Sequence, residues 1–214
     1  MTEVPDKPFL DQEGPPAVHG ETRHLYHLPR TCWTRRKTGE PMEMYQVTGI
    51  VLHKISGRYV FPDKPFDPQL IDEQILIPNR LSYTIMIYRD GTAVRRVPEP
   101  YQSFHAGFSR YDGEEYCNRF MIGICLVSKG YSDQQSRAFE PVQIDKLADI
   151  TTWLMGRHDF PAERITSHEH VRTRWNEAHP NEKAQSRRGD PGTFPWQLFR
   201  ERLVDLIEQR SPQL

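Results

Sequence analysis

From Val47 to His53 the chain is apolar and β-branched, the pattern of a buried strand. Tyr83–Tyr88 is a second such run, and Thr92–Val97 resumes the extended pattern after Asp90-Gly91. An Asp-Gly between two extended runs predicts a hairpin, because its turn needs positive φ. Met121–Val127 is apolar on both faces, as expected of a central strand. The period then changes. Glu140-Pro141 opens a helix in which Ile144, Leu147, Ala148, Thr151, Leu154 and Met155 keep helical spacing. A short strand or turn at Arg164–Ser167 leads into His168. A last helix, about Trp196–Gln209, carries Trp196, Phe199, Leu203, Leu206 and Ile207 on one face. Pro62, Pro65, Pro68 and Pro78 make residues 57–80 mainly loop, with room for a short helix around Gln69–Ile75. Strands interleaved with helices predict one α/β domain with a mixed sheet, over residues 47–210. Residues 1–46 read as an N-terminal extension, partly flexible, whose first 20 residues are a solvated arm.

Composition narrows the function. The 214 residues hold 28 basic and 29 acidic side chains, for a net charge of -1. Nothing global points to nucleic acid or an anionic membrane, which would call for a basic excess. No apolar run reaches the roughly 20 residues that span a bilayer, so no membrane insertion is expected. Met1–Pro16 is acidic and lacks the basic start and apolar stretch of a secretory signal. Three cysteines, Cys32, Cys117 and Cys125, have no metal-type pairing and fit a reducing compartment. The expected location at synthesis is therefore cytoplasmic.

Three places carry chemistry. His53 ends the first strand, where a side chain commonly faces a crevice. His168 has His170 two residues on; the two share a face on a strand but not on a helix. Asp190 lies in Gly189-Asp190-Pro191-Gly192, which alone reads as a turn. Together they supply two imidazoles and a carboxylate, the ligand types of a hydrolytic zinc site with a fourth position open to water. No pair among them has a local zinc-finger or metalloprotease spacing, so spacing alone leaves ligand, core and turn readings all open.

The wider residues resemble the type-2 N-acetylmuramoyl-L-alanine amidases. That family includes phage lysozyme-type amidases, the anhydro-muropeptide amidases of wall recycling and the peptidoglycan recognition proteins. The matching segments run in family order over roughly residues 47–200. They are Gly49–Ser56, Ser82–Gly91, Phe104–Gly107, Cys117-Asn118 through Ile122–Leu126, Ile165–His168, and Gly189–Gly192 followed by Phe194–Trp196. The resemblance implies a central sheet flanked by helices and one zinc ion held by His53, His168 and Asp190. It further implies hydrolysis of the lactyl–L-alanine amide of peptidoglycan or muropeptides.

The resemblance also assigns roles. Tyr83 falls where phage-type members carry a catalytic tyrosine, and it is the proton-relay candidate. Cys125 falls where recycling enzymes carry a catalytic glutamate; in an apolar strand it reads as core. Arg188 falls where many members carry a catalytic lysine. Arginine stays protonated, so its role there is to stabilise an oxyanion. The stretch from His105 to Asn118 resembles the recycling branch, which makes both residues substrate-binding candidates, with a structural hydrogen-bonding role for His105 equally open. His170 and His179 are reserve ligands, and Glu169 is the alternative carboxylate for the relay. Residues 171–189 are longer than in typical members. Phage lysis, secretion as an antibacterial effector and wall recycling all fit a chain without an export signal. A peptidoglycan-binding protein without catalysis is the other reading.

Overall fold

The computed structural model describes residues 32–35, 37–129, 138–182 and 190–210. In chain order the elements are β1 (Gly49–Ile55), α1 (Pro68–Ile71), a π-helical turn (Asp72–Leu76), α2 (Ile77–Asn79), β2 (Ile85–Ile87) and β3 (Ala93–Arg95). They continue with β4 (Arg110–Tyr111), β5 (Glu114–Glu115), β6 (Met121–Val127), α3 (Pro141–His158), β7 (Ile165–Ser167), α4 (His168–Ala178) and α5 (Trp196–Arg210). Five strands form one sheet in the order β3-β2-β6-β1-β7. β1 pairs in parallel with both β6 and β7, and β2 in parallel with β6, while β3 runs antiparallel to β2. The expected mixed sheet is therefore present, with β1 and β6 at its centre and helices against both faces.

Period-two alternation sorts the side chains. Ile50 and Leu52 of β1, Ile122, Ile124 and Leu126 of β6, and Ile85 and Ile87 of β2 join one core. That core is closed by Ile144, Leu147, Ala148 and Leu154 of α3 and by Phe199 and Leu203 of α5. Each of the larger side chains among them, fully buried, contributes about 1.5–3 kcal/mol. The opposite face carries Ile55, Met86, Cys125 and Val127 in a second core with Ile71, Leu76 and Tyr83. Val51 and Met121 sit in a third with Phe120 and Val171 of α4. His53 belongs to this second face, between Val51 and Ile55, and is fully buried.

The hairpin expected at Asp90-Gly91 is β2–β3, with Gly91 at φ +83. α3 begins at Pro141 under a capping box made by Glu140 and Gln143. The short helix expected near Gln69–Ile75 is a longer composite. Asp67 caps α1 by accepting from the Gln69 and Leu70 amides, and a π turn follows before α2 ends at Arg80 in the left-handed region. Asp72 in that turn pairs with Arg96 at 2.6 Å, with both side chains about 1% exposed. Arg96 also donates to the Tyr88 hydroxyl.

The end of the extension is docked. Cys32 and Trp33 are buried, Trp33 stacks on Tyr101 with ring centroids 5.6 Å apart, and Thr34 bridges to Pro41. The arm at 1–20 and His24 and His27 lie outside the described residues. Among the described residues no helix is long and apolar enough to cross a membrane.

Candidate metal centre and its cavity

β1 delivers His53 near the carboxyl end of the sheet, directly opposite Cys125 in the parallel register with β6. β7 runs parallel beside β1 and stops at Ser167, so the next residue, His168, opens α4 at the same edge. The Ser167 hydroxyl accepts from the His170 amide and caps that helix. The helical phase then separates the two neighbouring histidines. His168, Val171 and Trp175 are buried on one face, and His170 points to solvent. His170 is therefore no ligand in this arrangement. His179 stacks on Trp175 and pairs with Glu115, which spends it elsewhere.

Asp190 comes from the chain between α4 and α5. Its Oδ1 accepts from the Lys54 amide at 2.7 Å, and its carbonyl accepts from the Glu169 amide at 2.9 Å. Its Oδ2 lies 3.2 Å from His53 Nδ1 and 2.9 Å from His168 Nδ1. The three residues are buried and offer ligand atoms all within 4.8 Å of one another. A tetrahedral zinc with bonds of about 2.0–2.2 Å needs ligand atoms about 3.3–3.6 Å apart, so the donor set fits after small adjustment.

Electrostatics supports the same use. Burial, with the neighbouring charges of His168 and Arg172, lowers His53 to about 4 against the pull of Asp190. Burial alone raises the Asp190 carboxyl, but contacts with His168 and His53 outweigh it and hold it far below the usual carboxylate range. Near pH 7 the centre therefore presents a neutral His53 imidazole and an ionised carboxylate, lone-pair donors that a divalent cation needs. His168 Nε2 is buried and has no hydrogen-bond partner among the described residues.

Beside the centre opens a cavity of about 360 Å³. Its walls include Tyr83, Phe104 and Asn118, with Lys54, Arg80 and Arg172 supplying cationic side chains. The Tyr83 ring lies 5.0 Å from that of His53, and Tyr83 shares a side-chain hydrogen bond with the Cys125 thiol. Cys125 is fully buried, and burial pushes its thiol well above the ordinary range. A neutral core thiol is what the apolar strand predicts.

His105 and Asn118, expected at the substrate, sit on the cavity wall, with both His105 ring nitrogens and the Asn118 side-chain oxygen engaged within the protein. His105 Nδ1 is 2.9 Å from His53 Nε2, and its Nε2 is 3.2 Å from the Met121 carbonyl. The Asn118 carbonyl accepts from the backbone amides of His105 and Ala106. Arg188 and its neighbours Arg187 and Gly189 lie outside the described residues. Sequence reading missed Arg172 and Lys54 as cavity residues. Arg172 was legible in principle, since it stands one helical turn after His168.

Two buried imidazoles and a carboxylate, gathered where parallel strands end and a cavity opens, define an α/β domain with a donor set that could hold a metal ion of the hydrolytic type. The chain belongs to the N-acetylmuramoyl-L-alanine amidase family, whose model matches residues 43–193. It is 35% identical over 125 residues to the 1,6-anhydro-N-acetylmuramyl-L-alanine amidase AmpD of Enterobacter cloacae, and 34% identical over 122 residues to that of Escherichia coli. The first match covers 58% of each chain; the second covers 56% of this one and 57% of the other. The chain thus spans a little under three fifths of the curated relatives it matches. A crystal structure of AmpD, as its selenomethionine derivative, superposes with a TM-score of 0.55 at 29% identity, covering 74% of this chain and 85% of that one. AmpDh3 of Pseudomonas aeruginosa, solved in complex with an anhydromuramic pentapeptide, shares the fold with a TM-score of 0.54 at 19% identity. That match covers 78% of this chain and 63% of the other.

Proposed function

We propose that the protein is a zinc-dependent N-acetylmuramoyl-L-alanine amidase that cleaves the lactyl–L-alanine amide of muropeptides. The observation that carries this reading is the convergence of His53 Nδ1, His168 Nδ1 and Asp190 Oδ2 beside an open cavity. Zinc bound there supplies Lewis-acid chemistry, polarising the amide carbonyl and acidifying a water molecule. Tyr83 lines the cavity with its ring next to that of His53, and the role we assign to its hydroxyl is to orient water and relay a proton to the leaving amine. Cys125 takes no part, because its thiol is buried and neutral. The guanidinium of Arg188 stabilises the oxyanion but moves no proton. Lys54, Arg80 and Arg172 give the cavity a positive lining that suits the carboxylates of a stem peptide.

Relatives above 30% identity are anhydro-muropeptide amidases, and this favours soluble anhydro-muropeptides over intact wall. The endolysin LysCS of Clostridium intestinale matches only at the level of the fold, at 21% identity. The lytic and antibacterial roles compatible with the sequence therefore gain no support. Mass spectrometry decides the reading. Incubation of the zinc-loaded protein with an anhydro-muropeptide should release free stem peptide and anhydro-sugar. An intact substrate with metal bound would leave a binding protein in its place.

A further inference from the structure

Four groups stand in line on the second face of the sheet. The Met121 carbonyl lies 3.2 Å from His105 Nε2, His105 Nδ1 lies 2.9 Å from His53 Nε2, and His53 Nδ1 lies 3.2 Å from Asp190 Oδ2. Both ends accept only: one is a backbone carbonyl, the other an ionised carboxylate. A neutral imidazole carries one N–H and one lone pair. The line therefore contains three contacts and two protons. Placing both protons on Nε2 satisfies the Met121 and His105–His53 contacts. The deficit then falls between His53 Nδ1 and Asp190 Oδ2, two lone pairs facing each other where a cation belongs. Protons on both Nδ1 atoms would set His105 Nε2 against the Met121 carbonyl, and protons on His105 Nε2 and His53 Nδ1 would satisfy Asp190 but leave His105 Nδ1 and His53 Nε2 as two lone pairs 2.9 Å apart; in both cases the clash of acceptors falls away from the Asp190 carboxylate.

We propose that His105 is a positioning residue for the metal centre: its Nδ1 accepts the Nε2 proton of His53 and so fixes the His53 tautomer whose Nδ1 lone pair faces Asp190. The inference rests on the metal reading above and extends it to a residue that stands behind one of the proposed ligands. Three features hold the ring in that service. Its own Nε2–H donates to Met121, which orients Nδ1 toward β1. Its backbone is pinned, since the Asn118 side chain accepts from the amides of His105 and Ala106 at 3.2 and 2.9 Å. Its ring lies against Gly123, where a Cβ would fall 2.5 Å from the His105 Cγ, so the strand residue beneath it has to be glycine. A hydrogen-bond acceptor behind a ligating histidine raises ligand basicity and fixes ring orientation, and its loss typically costs about 10–100-fold in metal affinity.

Zinc affinity of the full chain, measured by competition with a chromophoric chelator, tests this. His105→Phe keeps a ring over Gly123 and removes the acceptor; it should bind zinc about 10–100-fold more weakly. His105→Asn places an amide oxygen near the Nδ1 position and should recover most of the loss. In the zinc-loaded wild type, ¹⁵N NMR should find protons on Nε2 of both His53 and His105, with scalar coupling across the hydrogen bond between them. Wild-type affinity in His105→Phe, or equal losses in the Phe and Asn variants, would overturn the proposal. If His105→Phe does not fold, the wild-type spectrum decides alone, and a proton on His105 Nδ1 overturns the proposal. Wild-type protein that takes up no zinc removes the metal reading itself, an outcome distinct from zinc uptake that ignores His105.

Discussion

Gly123 is the bed on which the His105 ring rests, with 2.5 Å between the ring Cγ and the place a Cβ would occupy. Since His105 in turn touches His53, a methyl group on a β6 residue that contacts no ligand should disturb the centre. Gly123→Ala must displace either the ring or the strand. Overpacking of this kind typically costs about 1–3 kcal/mol. The expected outcome is a lower melting temperature together with zinc affinity reduced at least tenfold, read by thermal denaturation and chelator competition. Unchanged metal affinity in a folded variant would show that the ring can shift without consequence.

Tyr83→Phe should keep fold and zinc while losing most turnover, because the change removes one hydroxyl from the cavity wall and leaves the ring packed against His53. General acid–base groups contribute about 100–10,000-fold, so a fall of that order in kcat, with little change in KM, is the expected reading from muropeptide hydrolysis. Near-normal turnover would move the relay to another group, with Glu169 the first carboxylate to test.

The buried pair of Arg96 and Asp72 ties the π turn to the sheet. Burial raises the Asp72 carboxyl, and the charge and hydrogen bond of Arg96 oppose it. Arg96→Leu would leave a carboxyl 1% exposed without its partner. Breaking such a pair typically costs about 3–5 kcal/mol, and urea denaturation should show it. Converting both residues to apolar ones of similar volume should return much of the loss, since two desolvated charges are then no longer required.

Glu99 links the loop after β3 to the end of α3. Its carboxylate lies 2.9 Å from His158 Nε2 and 3.4 Å from Arg157 Nε. Burial raises its pKa, but His158, Arg95 and Arg157 together outweigh burial and bring it below the ordinary 4.5. Because the folded value is the lower one, the unfolded chain takes up the proton first as pH falls. This contribution to stability is complete above about pH 4.5 and is lost as pH drops through the folded value. Glu99→Gln should flatten that acid limb in denaturation curves recorded against pH, and an unaltered slope would assign the acid sensitivity to other carboxyls.

The sheet was legible because its strands are short apolar runs with a strong hairpin signal at Asp90-Gly91. Met121–Val127 emerges with the bounds its sequence predicts. The grouping of His53, His168 and Asp190 was legible only through resemblance: the fold brings them together, and no local spacing encodes it. α4 escaped notice because its sequence is almost wholly polar, with Val171 and Trp175 as its buried apolar anchors. For His105 the sequence left substrate contact and a structural hydrogen-bonding role equally open, because the partners of its two ring nitrogens, His53 and the Met121 carbonyl, come from β1 and β6. The composite helix at 68–79 was obscured by Pro68 and Pro78, each of which stands at an early position of its helical segment, where a missing N–H costs little.

Asp190 is fastened to the body of the protein by bonds that owe nothing to a metal: Oδ1 to the Lys54 amide and its carbonyl to the Glu169 amide. Those two bonds anchor one residue to the end of β1 and to the start of α4, the same two elements that carry the histidines. The carboxylate is therefore held by the same two stretches of backbone that carry the imidazoles, so a substitution that shifts the end of β1 or the start of α4 moves all three side chains together.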